Sequence, residues 1–251
     1  MLQMTYYPGA ALPPGVLAEV SGLRADVARL PAGVDRAEDR RRLAETLRGC
    51  STVCVLRDNL GEAQGLWATR EQVLTVAGRR CLLIYADQVW LRESARGDAA
   101  FVVSTLRHGL ALCARARCHR VFIGGLANPL SYNALQGWFG TLRCLAEGDI
   151  PAAERSLLEA VAKALGERWD GQRARARLLV LPPHIPSHVL TRPGAAERIA
   201  HYEALNPDWA DGWGLPVVGR VPWVRVAAMP VRSVRRALRR PAARLAAALT
   251  R

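Results

Sequence analysis

The sequence predicts a mixed α/β fold, a central sheet flanked by helices, and three observations carry that expectation. The stretch Arg79 to Arg107 holds an apolar run (Cys81 to Ala86, then Val89 to Leu91), a small-residue turn at Arg96-Gly97-Asp98-Ala99-Ala100, and a second apolar run with helical spacing: Phe101, Val102, Thr105, Leu106, Leu110. That is strand, tight turn and helix. Upstream, two helical patterns precede a pair of strand-like runs joined by Asp58-Asn59-Leu60-Gly61. Finally, 50% of the 251 residues are hydrophobic and 23% charged, the balance of a globular chain long enough to bury a full core.

Taken in order, Gln3 to Tyr7 reads as a short strand. Val16, Val20, Leu23, Val27 and Leu30 recur at helical spacing, and Pro31 and Gly33 close that helix. A second, densely charged helix runs from Asp35 to Arg48, with Leu43 and Leu47 on its apolar side. Cys50 to Arg57 and Ala63 to Arg70 form an antiparallel pair. Glu71 to Gly78 fits either a strand or a turn of helix. The helix after the small-residue turn spans Ala99 to about Arg117 and ends in a basic cluster, Arg115, Arg117, His119 and Arg120, which its C-terminal dipole favours. Val121-Phe122-Ile123 is a short strand that breaks at Gly124-Gly125 and gives way to a polar turn and a helix through Trp138 and Leu142.

Pro151 to Asp170 is a helix, with Pro in its first turn and Leu157, Leu158, Val161, Ala164, Leu165 and Trp169 on one face. Arg177 to Leu181 is a strand ended by Pro182-Pro183. Ala195 to Leu205 is helical. The loop Asn206 to Gly214 carries Trp209 and Trp213 and reads either as a loop pinned by buried indoles or as a lid over an acceptor site. Val217 to Ala227 is a last strand, which sets a domain at 1–228. Residues 229–251 form a tail in which Val234, Leu238, Leu245 and Leu249 oppose Arg232, Arg235, Arg236, Arg239 and Arg240.

The turn at Arg96 to Ala100 has a physical use, since the first amide hydrogens of a helix lack intrahelical partners and its dipole attracts anions. These residues resemble the Gly-rich turn of the GNAT acyltransferases, Arg/Gln-x-x-Gly-x-Gly/Ala between a central strand and a helix. Ala99 stands in place of the first family glycine and Phe101 in place of the last. The order of two helices, an antiparallel strand pair, a strand and the turn is also that family's. The resemblance implies a mixed, mostly antiparallel central sheet and transfer of an acyl group from a thioester to an amine. It implies that Arg96, Gly97, Asp98, Ala99 and Ala100 bind the pyrophosphate of acyl-CoA, and that Val89, Trp90 and Leu91 lie along its pantetheine arm. Asn128 and Ser131 resemble the start of the family's Asn-x-x-Ala pattern. The family's tyrosine proton donor falls at Leu135, and Tyr132 is the nearest hydroxyl, able to protonate a thiolate or simply packed on the core. Asp87 and Glu93 flank the donor strand as candidate bases. The altered turn and the basic tail point to a donor on acyl carrier protein, as in the N-acyl amino acid synthase members. The acceptor is then an amine-bearing small molecule or amino acid. The competing expectation is a binding or scaffold protein that keeps the fold without turnover, as Phe101 and Leu135 favour.

Net charge is +13, and Lys163 is the only lysine. After Asp211 no acidic residue occurs and nine arginines follow. Such a tail fits an anionic membrane surface or an acidic carrier protein, and a nucleic-acid role is disfavoured because no aromatics interleave with the arginines. No run approaches the ~18 apolar residues of a membrane span. The first residues lack a secretory pattern, so the expectation is a cytoplasmic protein. The six cysteines show no Cys-x-x-Cys spacing and read as small buried hydrophobes, and Pro186 between His184 and His188 argues against a helical metal pair, so no metal is expected.

Overall fold

The computed structural model describes residues 2–28, 33, 35–95, 99–118, 120–178, 184–185 and 187–221. Arg96, Gly97, Asp98, His119, residues 179–183 and the tail from residue 222 lie outside them. The expectations placed on the small-residue turn and on the basic tail therefore fall outside the described residues.

Strand β1 (Gln3–Tyr7) leads to α1 (Pro14–Val27) and α2 (Arg36–Arg48). Asp35 caps α2, its carboxylate accepting from the amides of Ala37 (3.1 Å) and Glu38 (3.2 Å). Arg24 of α1 pairs with Asp39 of α2 through its Nε at 2.8 Å, fixing the two helices to each other. Strands β2 (Thr52–Arg57), β3 (Ala63–Val76) and β4 (Arg79–Leu91) follow. The ambiguous stretch from Glu71 is strand. It continues β3 into a two-residue turn at Ala77 (φ 48°) and Gly78 (φ 72°), whose paired left-handed conformations match the right-handed twist of a hairpin.

Then come α3 (Ala99–Ala116), β5 (Arg120–Ala127), α4 (Pro129–Phe139) and β6 (Leu142–Cys144). After α5 (Ala152–Leu165) the chain forms β7 (Trp169–Asp170), β8 (Arg175–Arg177), a short α6 (Ser187–Leu190), α7 (Ala195–Leu205) and β9 (Trp213–Arg220). The sheet order is β1-β2-β3-β4-β5-β9-β8-β7, with β6 also on β9. The pairs are antiparallel except β4 with β5. This is the mixed, mostly antiparallel sheet flanked by helices that the sequence predicts.

Several boundaries differ from the sequence reading, and the last strand begins at Trp213, inside the expected loop, instead of at Val217. Strand β5 runs through Gly124 and Gly125 instead of breaking there, because both glycines sit where neighbours press close: a Cβ on Gly124 would meet Val161 Cγ2 at 2.7 Å, and one on Gly125 would meet the Ala86 carbonyl oxygen at 3.0 Å. The helix expected through Leu142 stops at Phe139, with Gly140 (φ 81°) turning the chain, and Leu142 belongs to β6. Helix α5 stops at Leu165 and not at Asp170, because Gly166 adopts φ 56° and ends it.

Side-chain alternation along the strands divides the core between two faces. On one face α1 and α2 cover Val53, Val55, Leu66, Ala68 and Trp90, while α5 covers Leu83, Tyr85, Phe122 and Val218. On the other, Cys113 of α3 lies in a cluster with Cys54, Leu56, Trp67, Leu82, Ile84 and Val121, and α4 and α7 enclose Ala127, Leu142, Leu215 and Val217. All six cysteines are buried and unpaired. Among the described residues no helix is long and apolar enough to cross a membrane.

Candidate active site at the fork between two parallel strands

The β4–β5 ladder begins at Cys81↔Arg120 and ends at Ala86↔Gly125. Beyond that pair the strands part company. Strand β4 continues to Leu91 against β3 alone, and β5 continues through Leu126 and Ala127 against β9 alone. The sheet is therefore forked at its centre.

A β-bulge sits at the fork. Ala68 pairs with Gln88 and Thr69 with Ala86, so Asp87 is the extra residue on β4. Past the bulge, the amide of Arg92 bonds the carbonyl of Gln64 at 2.9 Å. Antiparallel strands alternate hydrogen-bonded and outward-facing pairs. Gln88 and Trp90 thus turn their main-chain groups to β3, and Val89 turns its N–H and C=O into the gap. The Val89 side chain is exposed, while Trp90 is buried among the residues of α1 and α2 with the Arg24 guanidinium 4.8 Å from its ring centre.

Each bank of the fork is anchored by a buried polar group. On the β4 bank the Asp87 side chain is 0% exposed. Arg70 Nη2 of β3 stands 2.8 Å from Asp87 Oδ2 without hydrogen-bond alignment, and Arg168 Nη2, from the turn after α5, stands 3.8 Å from Oδ1. Burial, and secondarily the Asp87 charge, pushes the neighbouring Tyr85 phenol well above its ordinary value, so it stays neutral. On the β5 bank, the Tyr202 hydroxyl of α7 donates to the Ala127 carbonyl at 2.8 Å, and Asn206 Nδ2 donates to that hydroxyl (3.0 Å) and to the Trp213 carbonyl (2.9 Å). These bonds tie the end of β5 to β9 and leave it apart from β4.

The sequence-derived residues are placed unevenly. Asp87, Val89 and Trp90 lie at or just past the fork. Glu93 sits in an exposed 3-10 turn beyond the end of β4, and about 13 Å of strand separates residue 87 from residue 91, so the two carboxylates do not converge. Ala99 and Ala100 open α3. Asn128 and Ser131 cap α4 reciprocally: Asn128 Oδ1 accepts from the Ser131 amide at 2.9 Å, and Ser131 Oγ accepts from the Asn128 amide at 2.8 Å. Tyr132, one turn into α4, is 1% exposed and tilts against Tyr202 at 5.3 Å between ring centres. Burial, then the nearby Cys144 and Glu147, pushes its phenol up to about 12. Trp213 belongs to β9 and is buried with the Arg177 guanidinium 3.9 Å from its ring centre, while Trp209 is only partly buried, so of the two indoles expected to pin a loop one stands in a strand.

Sequence reasoning missed Arg70, Arg168, Tyr202 and Asn206. Only Arg70 left a signal, a charge at the end of the strand run Ala63 to Arg70.

Comparisons with known proteins sit beside this geometry. No protein-family model matches the chain, and no curated protein matches it. Among solved structures it is similar to a ribosomal-protein-alanine N-acetyltransferase from Brucella melitensis biovar Abortus 2308. The identity is 13%, the match covers 60% of this chain and 99% of that one, and the TM-score is 0.42. An aminoglycoside antibiotic 6'-N-acetyltransferase from Acinetobacter baumannii matches at 10% identity over 54% of this chain and 88% of its own, with a TM-score of 0.39. An acetyltransferase from Trypanosoma brucei matches at 15% identity over 60% and 98%, with a TM-score of 0.37. Likeness at this level carries no functional weight, and the reading below rests on the fork itself.

Proposed function

We propose that this chain is a GNAT-like acyltransferase, moving an acyl group from a thioester carried by coenzyme A or acyl carrier protein to an amine. The observation that supports it is the fork: a parted sheet in which Val89 offers an outward N–H and C=O to an extended, amide-bearing guest. A pantetheine arm is such a guest, since its amides can add to a strand edge as a peptide does. The thioester would then reach the point where β4 and β5 separate, beside Asp87.

Catalysis in this arrangement is chiefly positioning. The amine nitrogen forms a bond to the thioester carbonyl carbon, the C–S bond breaks, and the amine proton ends on the departing sulfur. Tyr132 suits the last step in protonation state, because a phenol pushed up to about 12 remains protonated at neutral pH. Asp87 is the carboxylate at the fork. Taking up a proton there requires the Arg70 guanidinium, 37% exposed, to turn aside. Glu93 is a solvated carboxylate near the expected phosphate end of the donor.

The test is donor binding followed by turnover. Acetyl-CoA, a long-chain acyl-CoA and an acyl carrier protein thioester are each added to the full chain, and the melting temperature and thiol release are measured. A rise in melting temperature with any thioester supports the fork as a donor groove, and its absence with all of them refutes the reading. Binding without thiol release across a panel of amines favours the scaffold alternative.

A further inference from the structure

The ion cluster at the fork is unbalanced. One carboxylate, Asp87, faces two guanidiniums, Arg70 and Arg168. The Tyr85 phenol and the Cys50 thiol beside the cluster are neutral, since burial raises the first and pushes the second up to about 12, while the Glu71 carboxylate, whose charge reaches Cys50, accepts from the Thr69 hydroxyl at 2.6 Å. The cluster therefore holds one positive charge more than it neutralises. Its accessible part is wholly cationic: the Arg70 side chain is 37% exposed and that of Arg168 23%, while Asp87 between them is 0% exposed. Arg70 Nε is buried and has no hydrogen-bond acceptor. A buried guanidinium N–H without a partner is costly, and an oxyanion is the group that satisfies it best.

The cluster also lies on a defined side of the gap. Tyr85 and Trp90 belong to the face covered by α1, α2 and α5, whereas α3 packs on the opposite face. A donor whose phosphates sit at the start of α3 therefore leaves the Arg70 side to the second substrate.

We propose that the acceptor amine carries an oxyanion, a carboxylate or a phosphate, and that Arg70, with Arg168 behind it, reads that group. This rests on the acyltransferase reading for the word acceptor, but the anion subsite is a property of the cluster alone. Asp87 acts as a positioning residue: it holds the two guanidiniums apart from the apolar core and turned toward the gap. A ligand oxyanion that draws Arg70 outward also uncovers the Asp87 carboxylate, next to the amine that must lose a proton.

The experiment pairs each anionic amine with its neutral counterpart: common α-amino acids against their carboxamides, and phosphoethanolamine against ethanolamine. Binding to the full chain is measured by calorimetry without donor, and thiol release is measured separately with acetyl-CoA. The expected result is that the anionic member of at least one pair binds about tenfold tighter, a charge-assisted bond's share. The pair showing the difference identifies carboxylate or phosphate. Arg70→Gln should erase that preference, Arg70→Lys should restore part of it, and neither should alter the acyl-CoA-dependent rise in melting temperature. Arg168→Gln serves as a second variant should the first fold poorly. Equal binding within every pair, no binding by any anionic amine, or a preference that survives both glutamine variants overturns the inference. Absence of a donor effect and of thiol release instead overturns the acyltransferase reading, while the binding arm still decides on the subsite.

Discussion

Replacing Val89 by proline removes a single N–H, and the fork geometry dictates what that N–H does. If it faces the gap, the β3–β4 ladder loses nothing, and proline is tolerated on strand edges of this kind. A donor lying along β4 loses one hydrogen bond, worth about 0.5–1.5 kcal/mol net. Donor affinity should therefore fall about two- to tenfold relative to Val89→Ala. Gln88 is the internal control, because its N–H points to β3 and its loss breaks the ladder at a cost of about 3 kcal/mol. For a domain of this size Gln88→Pro should melt about 6–12 °C below Gln88→Ala. Val89→Pro should show a far smaller drop against its alanine partner. Thermal denaturation with and without acetyl-CoA reads both quantities. The reasoning is refuted if Val89→Pro melts as early as Gln88→Pro, which puts its N–H in the ladder. It is equally refuted if the proline and alanine variants bind donor alike, which leaves the gap without a guest.

Other perturbations follow from the same contacts. Tyr202→Phe takes one of two donors from the Ala127 carbonyl, which still faces Leu215 of β9, and leaves one Asn206 N–H without its acceptor in a buried site, and chemical denaturation should show a loss of about 1–3 kcal/mol. Gly124→Ala drives a methyl to 2.7 Å from Val161 Cγ2, so α5 must shift off the sheet, and about 1–3 kcal/mol should be lost by the same measurement. Burial, with a further push from Arg115 and an opposing pull from Glu71, lowers the pKa of the His108 imidazole, which stacks on Tyr6 at 4.8 Å, below its ordinary 6.5. The unfolded chain therefore binds more protons than the fold as pH drops. Stability is full above the unfolded value and declines as pH falls through it toward the folded value. His108→Phe should shrink the stability difference between about pH 7.5 and about pH 5. Burial pushes the Cys50 and Cys54 thiols up to about 12 and that of Cys144 up to about 11, so a thiol reagent should label these slowly in the native protein and promptly in denaturant.

The early half of the fold was legible because its signals are local. The cap at Asp35, the apolar runs of β2 and β4, and the turn at Asp58 each declare themselves within a few residues. The misread boundaries share another cause. Gly124 and Gly125 look like a break until Val161 and the Ala86 carbonyl are brought against them, and nothing nearby in sequence announces that approach. The apolar stripe of α5 continues to Trp169, which still packs on the core, so periodicity alone carries the helix past Gly166. At the site, Asp87 and Val89 could be picked out from their strand. The partners that give Asp87 its surroundings could not, because Arg70 and Arg168 come from elements that meet only after the sheet has formed. Asn128 and Ser131 show the converse: a pattern that resembles a ligand site is consumed by four residues' own backbone.

The stop at Gly166 has a consequence for how such a protein can change. Because the α-helix ends there and a 3-10 turn, Gly166–Arg168, follows, Arg168 is delivered sideways to the bulge instead of continuing around the α-helix, about 200° further on from Gly166. Core contacts of α5 are complete by Leu165. A substitution that let the helix run on one more turn would withdraw a cation from the mouth of the gap and would also displace Trp169, which packs on the core just beyond. Selectivity for one guest over another could thus drift through a single hinge position, at a cost in stability set by how well Trp169 repacks.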